Sequence, residues 1–268
     1  MTGFRVDGLA CERWGEGAPE YVLLHAGIAD LRSWRDVAPR LDAPAVAYDR
    51  RGFGDSPPGP DGFRHLDDLA AVLDATAGSS PVWLVGNSMG GALAIDAALE
   101  APDRVAGLFL IGPGVSSEVP GFEEPPTTEA EQRWEAAWKA AGEDDVDERL
   151  RLDAWLWLDG PEHEGRVGGA ARELALDMNR RIFEHGAPDE AGENGVDGGG
   201  RLGELAMPVT VAWGELENSE QVAICELLVE RIPGARRVVL PGTAHLPSLD
   251  APDALLAAIA GARAAASA

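Results

Sequence analysis

Val82-Trp83-Leu84-Val85-Gly86-Asn87-Ser88-Met89-Gly90-Gly91 is the stretch whose reading decides the fold. An apolar run, Val82 to Val85, leads straight into Gly-x-Ser-x-Gly, and the small-residue stretch Ala92 to Leu99 follows at helical composition. Buried strand, sharp turn and helix, in that order, are what a nucleophile elbow requires. Such a turn holds Ser88 in a strained backbone conformation with its hydroxyl above the sheet edge, and Gly86 and Gly90 leave room where strand and helix approach. The new helix starts with N–H groups that have no intrahelical partner, so that of Met89 lies beside the serine as a candidate oxyanion donor. In a chain with 33 glycines the motif needs this context, since composition alone yields roughly 0.15 matches.

Outward from the elbow, further apolar runs alternate with helical spacing. Tyr21–Leu24 reads as a strand buried on both faces and Ala45–Tyr48 as the next buried strand, and Val105–Ile111, Val209–Trp213 and Arg237–Leu240 read as further strands. Phe4–Val6 and Leu9–Trp14 flank Asp7-Gly8 and predict a hairpin. Ser33–Leu41, His65–Ala77, Ser219–Arg231 and Ala251–Ala264 read as helices. The alternation predicts an α/β fold, a mostly parallel sheet with helices on both faces. After Ile111 the rhythm stops. Glu129–Ala141, Arg149–Leu158 and Ala170–His185 are helical patterns with no buried strand among them, and 186–200, rich in Gly, Asp and Glu, reads as a linker. The expected organisation is a core in two parts, 1–114 and 204–268, with a helical cap or lid at 115–203 entering where open sheets bind ligands.

A serine nucleophile needs a base and an orienting acid. His245, in Pro-Gly-Thr-Ala-His-Leu-Pro after a strand, is placed for the base; His25 ends the first buried strand, where it more naturally orients a loop, and His65, His163 and His185 fall on helices or in the insertion. For the acid, Glu217 is preferred over Glu215 in Gly214-Glu215-Leu216-Glu217-Asn218, with Glu118 as a further alternative. The second oxyanion donor belongs to the loop His25-Ala26-Gly27-Ile28, with Gly27 first and Ile28 second. Trp134, Trp138, Trp155 and Trp157 in the insertion are candidates for lining an acyl pocket or for the insertion's own core, and Trp134, Trp155 and Ile28 are the residues expected at the substrate.

Composition narrows the partners. The chain of 268 residues carries 46 acidic and 22 basic side chains, a net charge of −24, which disfavours nucleic acid and anionic membrane surfaces. No 18-residue apolar run predicts a membrane span and no secretory signal pattern opens the chain. Cys11 and Cys225 read as reduced thiols of a cytoplasmic protein, and no Cys/His spacing suggests a metal. The expected partner is a small-molecule substrate bound by a monomer or homodimer.

Gly86-Asn87-Ser88-Met89-Gly90, the His25 loop, Asp49-x-Arg51-Gly52-x-Gly54-x-Ser56, Gly214-Glu215-x-Glu217 and Gly242-x-Ala244-His245-x-Pro247 together resemble the α/β-hydrolase family, its esterase and enol-lactonase branch most closely. The resemblance implies an eight-stranded sheet, a helical cap, Ser–His–acid catalysis and no cofactor. It also implies that Arg51 ties loops together below the site. Two positions depart from the family: His25-Ala26 replaces His-Gly, and Glu217 replaces Asp. Ester or lactone hydrolysis is the leading expectation. Carbon–carbon bond hydrolysis or a biosynthetic cyclisation on the same three residues is the alternative, and a non-catalytic binding module a weaker one.

Overall fold

Asp7 and Gly8 both take positive φ, 48° and 88°, and turn the chain between β1 (Thr2–Val6) and β2 (Leu9–Trp14). The computed structural model describes residues 1–60, 62–142, 144–185 and 194–267. β3 (Tyr21–Leu24), β4 (Ala45–Tyr48), β5 (Val82–Asn87), β6 (Val105–Ile111), β7 (Val209–Gly214) and β8 (Arg236–Leu240) complete one eight-stranded sheet, ordered β1-β2-β4-β3-β5-β6-β7-β8. The hairpin joins antiparallel through β2 and β4; every later pairing is parallel. The α/β architecture expected from the alternating pattern is therefore the one observed.

Strand periodicity sorts the core into two layers. Val22, Leu24, Leu84 and Leu108 face one way and pack with Leu69 and Val72 of α1 (His65–Thr76), Leu93 of α2 (Met89–Glu100) and Cys225 and Leu228 of α6 (Ser219–Arg231). Tyr21, Leu23, Trp83 and Phe109 face the other way, against Trp34 and, on α8 (Pro252–Ala266), Leu255 and Ile259. The central helix α2 is buried from Gly90 to Leu99, so its run of Ala and Gly is what lets it lie close to the sheet.

The stretch expected as the first helix is interrupted at a proline. Ser33–Leu41 is not one helix but two single turns, Leu31–Trp34 and Ala38–Arg40; Pro39 has no N–H to donate to the carbonyl of Arg35, as a continuous α-helix would need. The expected last helix, Ala251–Ala264, is observed as α8, and a separate turn, α7 (Pro247–Asp250), precedes it.

Between β6 and β7 the chain forms α3 (Glu129–Ala140), α4 (Val146–Asp153), a π-helical turn (Ala154–Asp159) and α5 (Gly169–His185). α3 starts with a reciprocal capping box between Thr128 and Glu131. Of the stretch read as a linker, 186–193 lie outside the described residues. The remainder packs on the core: Asn194 donates to the buried Asp96 at 2.8 Å, Val196 is 8% exposed, and the N–H of Gly199 donates to Ser117 Oγ. Glycine content signals a lack of regular structure there, not a lack of contacts.

Candidate active site

The elbow is built by steric exclusion. Ser88 adopts φ 55°, ψ −119°, a conformation rare for a residue with a Cβ, and stands as the N-cap of α2. The surroundings fix it there: its N–H donates to Ile111 O at 2.9 Å, and its carbonyl accepts from Gly91, Ala92 and Gly114. A Cβ on Gly90 would lie 2.3 Å from Leu24 O, so no larger residue lets α2 start this close to β3. Met89 is the first residue of α2, where the N–H has no intrahelical partner.

His245 and Glu217 come from the loops after β8 and β7. His245 Nδ1 and Glu217 Oε2 are 2.7 Å apart, with side-chain exposures of 2% and 0%. The other carboxylate oxygen of Glu217 accepts from the N–H and the side-chain amide of Asn218, so both oxygens of a buried acid are satisfied. The longer Glu side chain is thereby oriented at both ends. Leu216 N donates to Thr243 O and Glu215 N to Leu240 O, zipping the two loops together. Gly112, with φ 44°, passes beneath the pair; a Cβ there would be 2.9 Å from His245 Nδ1 and 3.3 Å from Glu217 Oε2.

Asn87, the residue before Ser88, links the elbow to the base loop. Its side-chain amide donates to Ile111 O at 3.0 Å and to His245 O at 3.1 Å. Asn87 stands at a variable position of Gly-x-Ser-x-Gly, which carries no pattern of its own in the sequence. The other two acids lie elsewhere: Glu215 is exposed and accepts from Gly242 N, and Glu118 is exposed.

The loop after β3 is held from below. His25, fully buried, accepts from Arg50 N at its Nε2 and lies 2.8 Å from Ala26 O through Nδ1. Burial and the neighbouring Arg50 guanidinium push its pKa well below the usual imidazole range, so it stays neutral. Arg50 itself is buried and donates to His25 O and Ala26 O, while Arg51 pairs with Asp68 at 2.9 Å and ties this region to α1. Gly27 lies under the Met89 side chain, whose sulfur occupies the space a Cβ would need. Ile28 is half-buried against a cluster containing Leu158, Met178 and Leu246.

Trp134 lines a cleft of about 200 Å³ between the insertion and the start of α6, together with Leu156, Trp157 and Ser219, and donates its indole N–H to Leu152 O. Trp155 is buried, 7% exposed, and donates its indole N–H to Pro161 O. The tryptophan against His245 is Trp157, with ring centroids 4.7 Å apart.

A model of the alpha/beta hydrolase fold matches residues 22–252. The chain belongs to the alpha/beta hydrolase fold family. This α/β-hydrolase is 26% identical over 261 residues to the pimeloyl-[acyl-carrier protein] methyl ester esterase of Edwardsiella ictaluri, covering 91% of this chain and 93% of that protein. Among solved structures it resembles a thermophilic esterase from Thermogutta terrifontis (TM-score 0.76, 20% identity, 99% of each chain). It also resembles the enol-lactonase from Burkholderia xenovorans LB400 (TM-score 0.72, 19% identity, 98% of this chain and 100% of that one). Among the described residues, no helix of this α/β-hydrolase is long and apolar enough to cross a membrane.

Proposed function

We propose that this α/β-hydrolase cleaves a small carboxylic ester or lactone through an acyl-enzyme, with Ser88 as nucleophile, His245 as base and Glu217 as its orienting acid. The observation that carries the reading is the buried His245–Glu217 contact of 2.7 Å on a loop that Asn87 pins to the elbow. Ser88 Oγ attacks the acyl carbon and passes its proton to His245 Nε2. Glu217 holds the proton on Nδ1 and stabilises the imidazolium. The carbonyl oxygen, now negative, takes hydrogen bonds from the N–H groups of Met89 and Gly27. The intermediate expels the alcohol, which leaves with the proton from His245; water then attacks the acyl-enzyme by the same route in reverse.

Residues 115–203 serve as the cap in this reading. The apolar cluster of Ile28, Leu158, Met178 and Leu246 beside the loop of Gly27 favours a compact apolar acyl or alcohol group. Trp134 belongs to the outer cleft, Trp155 to the cap's interior, and Trp157 takes the place at the base. Cys11 and Cys225, both buried and free, fit a reducing cytoplasmic setting.

The test is a panel run side by side: short p-nitrophenyl esters, a long-chain lipid ester, simple lactones and a meta-cleavage dienone. Turnover of the short esters or lactones is the expected result. Turnover of the lipid ester alone overturns the compact pocket, and turnover of the dienone alone moves the chemistry to carbon–carbon cleavage.

A further inference from the structure

The π-helical turn Ala154–Asp159 lies against the base loop. π turns are rare, and each inserts an extra residue that re-aims the side chains after it. Here the carbonyl of Trp157 accepts the backbone N–H of His245 at 3.1 Å. The indole lies with its centroid 4.7 Å from that of the imidazole, the planes at 50°. The turn is fastened on both sides. Gly160, at φ 91°, comes so near the acid loop that a Cβ would stand 2.4 Å from Leu216 O. Arg166 donates to Leu158 O at 2.6 Å and Asp159 O at 2.8 Å on the insertion side, and to Gly242 O at 2.9 Å and Asp250 at 2.6 Å on the core side. Asp159, fully buried, accepts from the N–H groups of Gly165 and Val167 and from Arg172.

We propose that Trp157 is a positioning residue for His245: its indole stabilises the imidazolium formed as Ser88 attacks, and its carbonyl fixes the base loop. The inference rests on the assignment of Ser88, His245 and Glu217 above. An aromatic face within about 6 Å attracts a cation, most strongly for Trp and most in a desolvated site. Neutral imidazole gains little from the same contact, so the interaction is stronger in the transition state than before it, as catalysis requires. The groups in contact with His245 are Glu217, Asn87, Gly112 after β6 and Trp157 from the insertion. Arg166 and Asp250, which fasten the turn, pair with each other.

Because the contact is stronger in the transition state than before it, removing the indole lowers the rate. The test compares Trp157→Phe, Trp157→Leu and proteins with mono-, di- and trifluorotryptophan installed at position 157. The readouts are the rate of fluorophosphonate labelling, and kcat and KM on p-nitrophenyl acetate. The labelling rate and kcat should fall stepwise with each fluorine at nearly constant KM. Trp157→Leu should lose about 5- to 30-fold, with Trp157→Phe between it and the wild type. Fluorination preserves the ring's shape and the backbone carbonyl, so a packing role predicts a flat series even where Trp157→Leu is destabilised. A flat series, with wild-type Ser88 labelled, overturns this inference alone. A wild type that does not label overturns the assignment of Ser88 and this inference with it.

Discussion

Glu217 and Glu215 are two residues apart, and their surroundings differ by burial and partner. Glu217 meets His245 in a buried contact, whereas Glu215 is exposed on Gly242 N. Replacing Glu217 by Gln allows the wrong imidazole tautomer and should lower kcat by about a thousand- to ten-thousand-fold. Glu215→Gln should stay within about 2-fold, since surface changes away from the reacting groups act weakly. Kinetics of the two variants on one ester decide between them. Asp49 carries a different prediction. Burial, reinforced by Asp30, pushes its pKa up to about 7, although the N–H groups of Leu31 and Asp55 donate to it. The folded state therefore holds this proton more tightly than the unfolded chain, where the carboxyl titrates near 4. Stability from Asp49 is greatest below about pH 4 and declines as pH rises through about 7. Relative to Asp49→Asn, the wild type should lose roughly 1–3 kcal/mol across that window, read from urea melts of both proteins at each pH.

At the scale of elements, the segment between β6 and β7 bonds to the loops that carry Glu217 and His245. Arg166 joins its π turn to Gly242 and Asp250, while Glu131 of α3 accepts from the N–H and hydroxyl of Ser219 at the start of α6. Arg166→Ala leaves Asp250 without its guanidinium partner and should cost about 2–3 kcal/mol. Hydrogen exchange should show the loss first in 154–167, ahead of the sheet. The strands and the strand–turn–helix at Ser88 are legible in the sequence because apolar runs and helical spacing leave strong patterns. The aim of the insertion's tryptophans is not. A π turn adds a residue and rotates the side chains beyond it by about 100°, so a 3.6-residue period does not reveal that Trp157, rather than Trp155, reaches His245. Arg50 was likewise passed over beside Arg51, because a guanidinium that bonds backbone carbonyls leaves no pairing pattern in the sequence.

Across the whole molecule, 46 acidic side chains face 22 basic ones. Their mutual repulsion opposes the compact state and is screened by salt, so Tm should rise by several degrees between about 10 mM and 500 mM NaCl. A flat or falling Tm would mean that the surface ion pairs outweigh the excess charge. The proposed site draws on distant parts of the chain: Ser88 follows β5, Glu217 follows β7 and His245 follows β8. The most direct test of that site is to treat the protein with a fluorophosphonate and map the adduct by peptide mass spectrometry. One adduct per chain is expected, on Ser88, absent from Ser88→Ala and formed orders of magnitude more slowly in His245→Ala. An adduct on another residue, or equal labelling of folded Ser88→Ala, would contradict the assignment of Ser88 as the nucleophile.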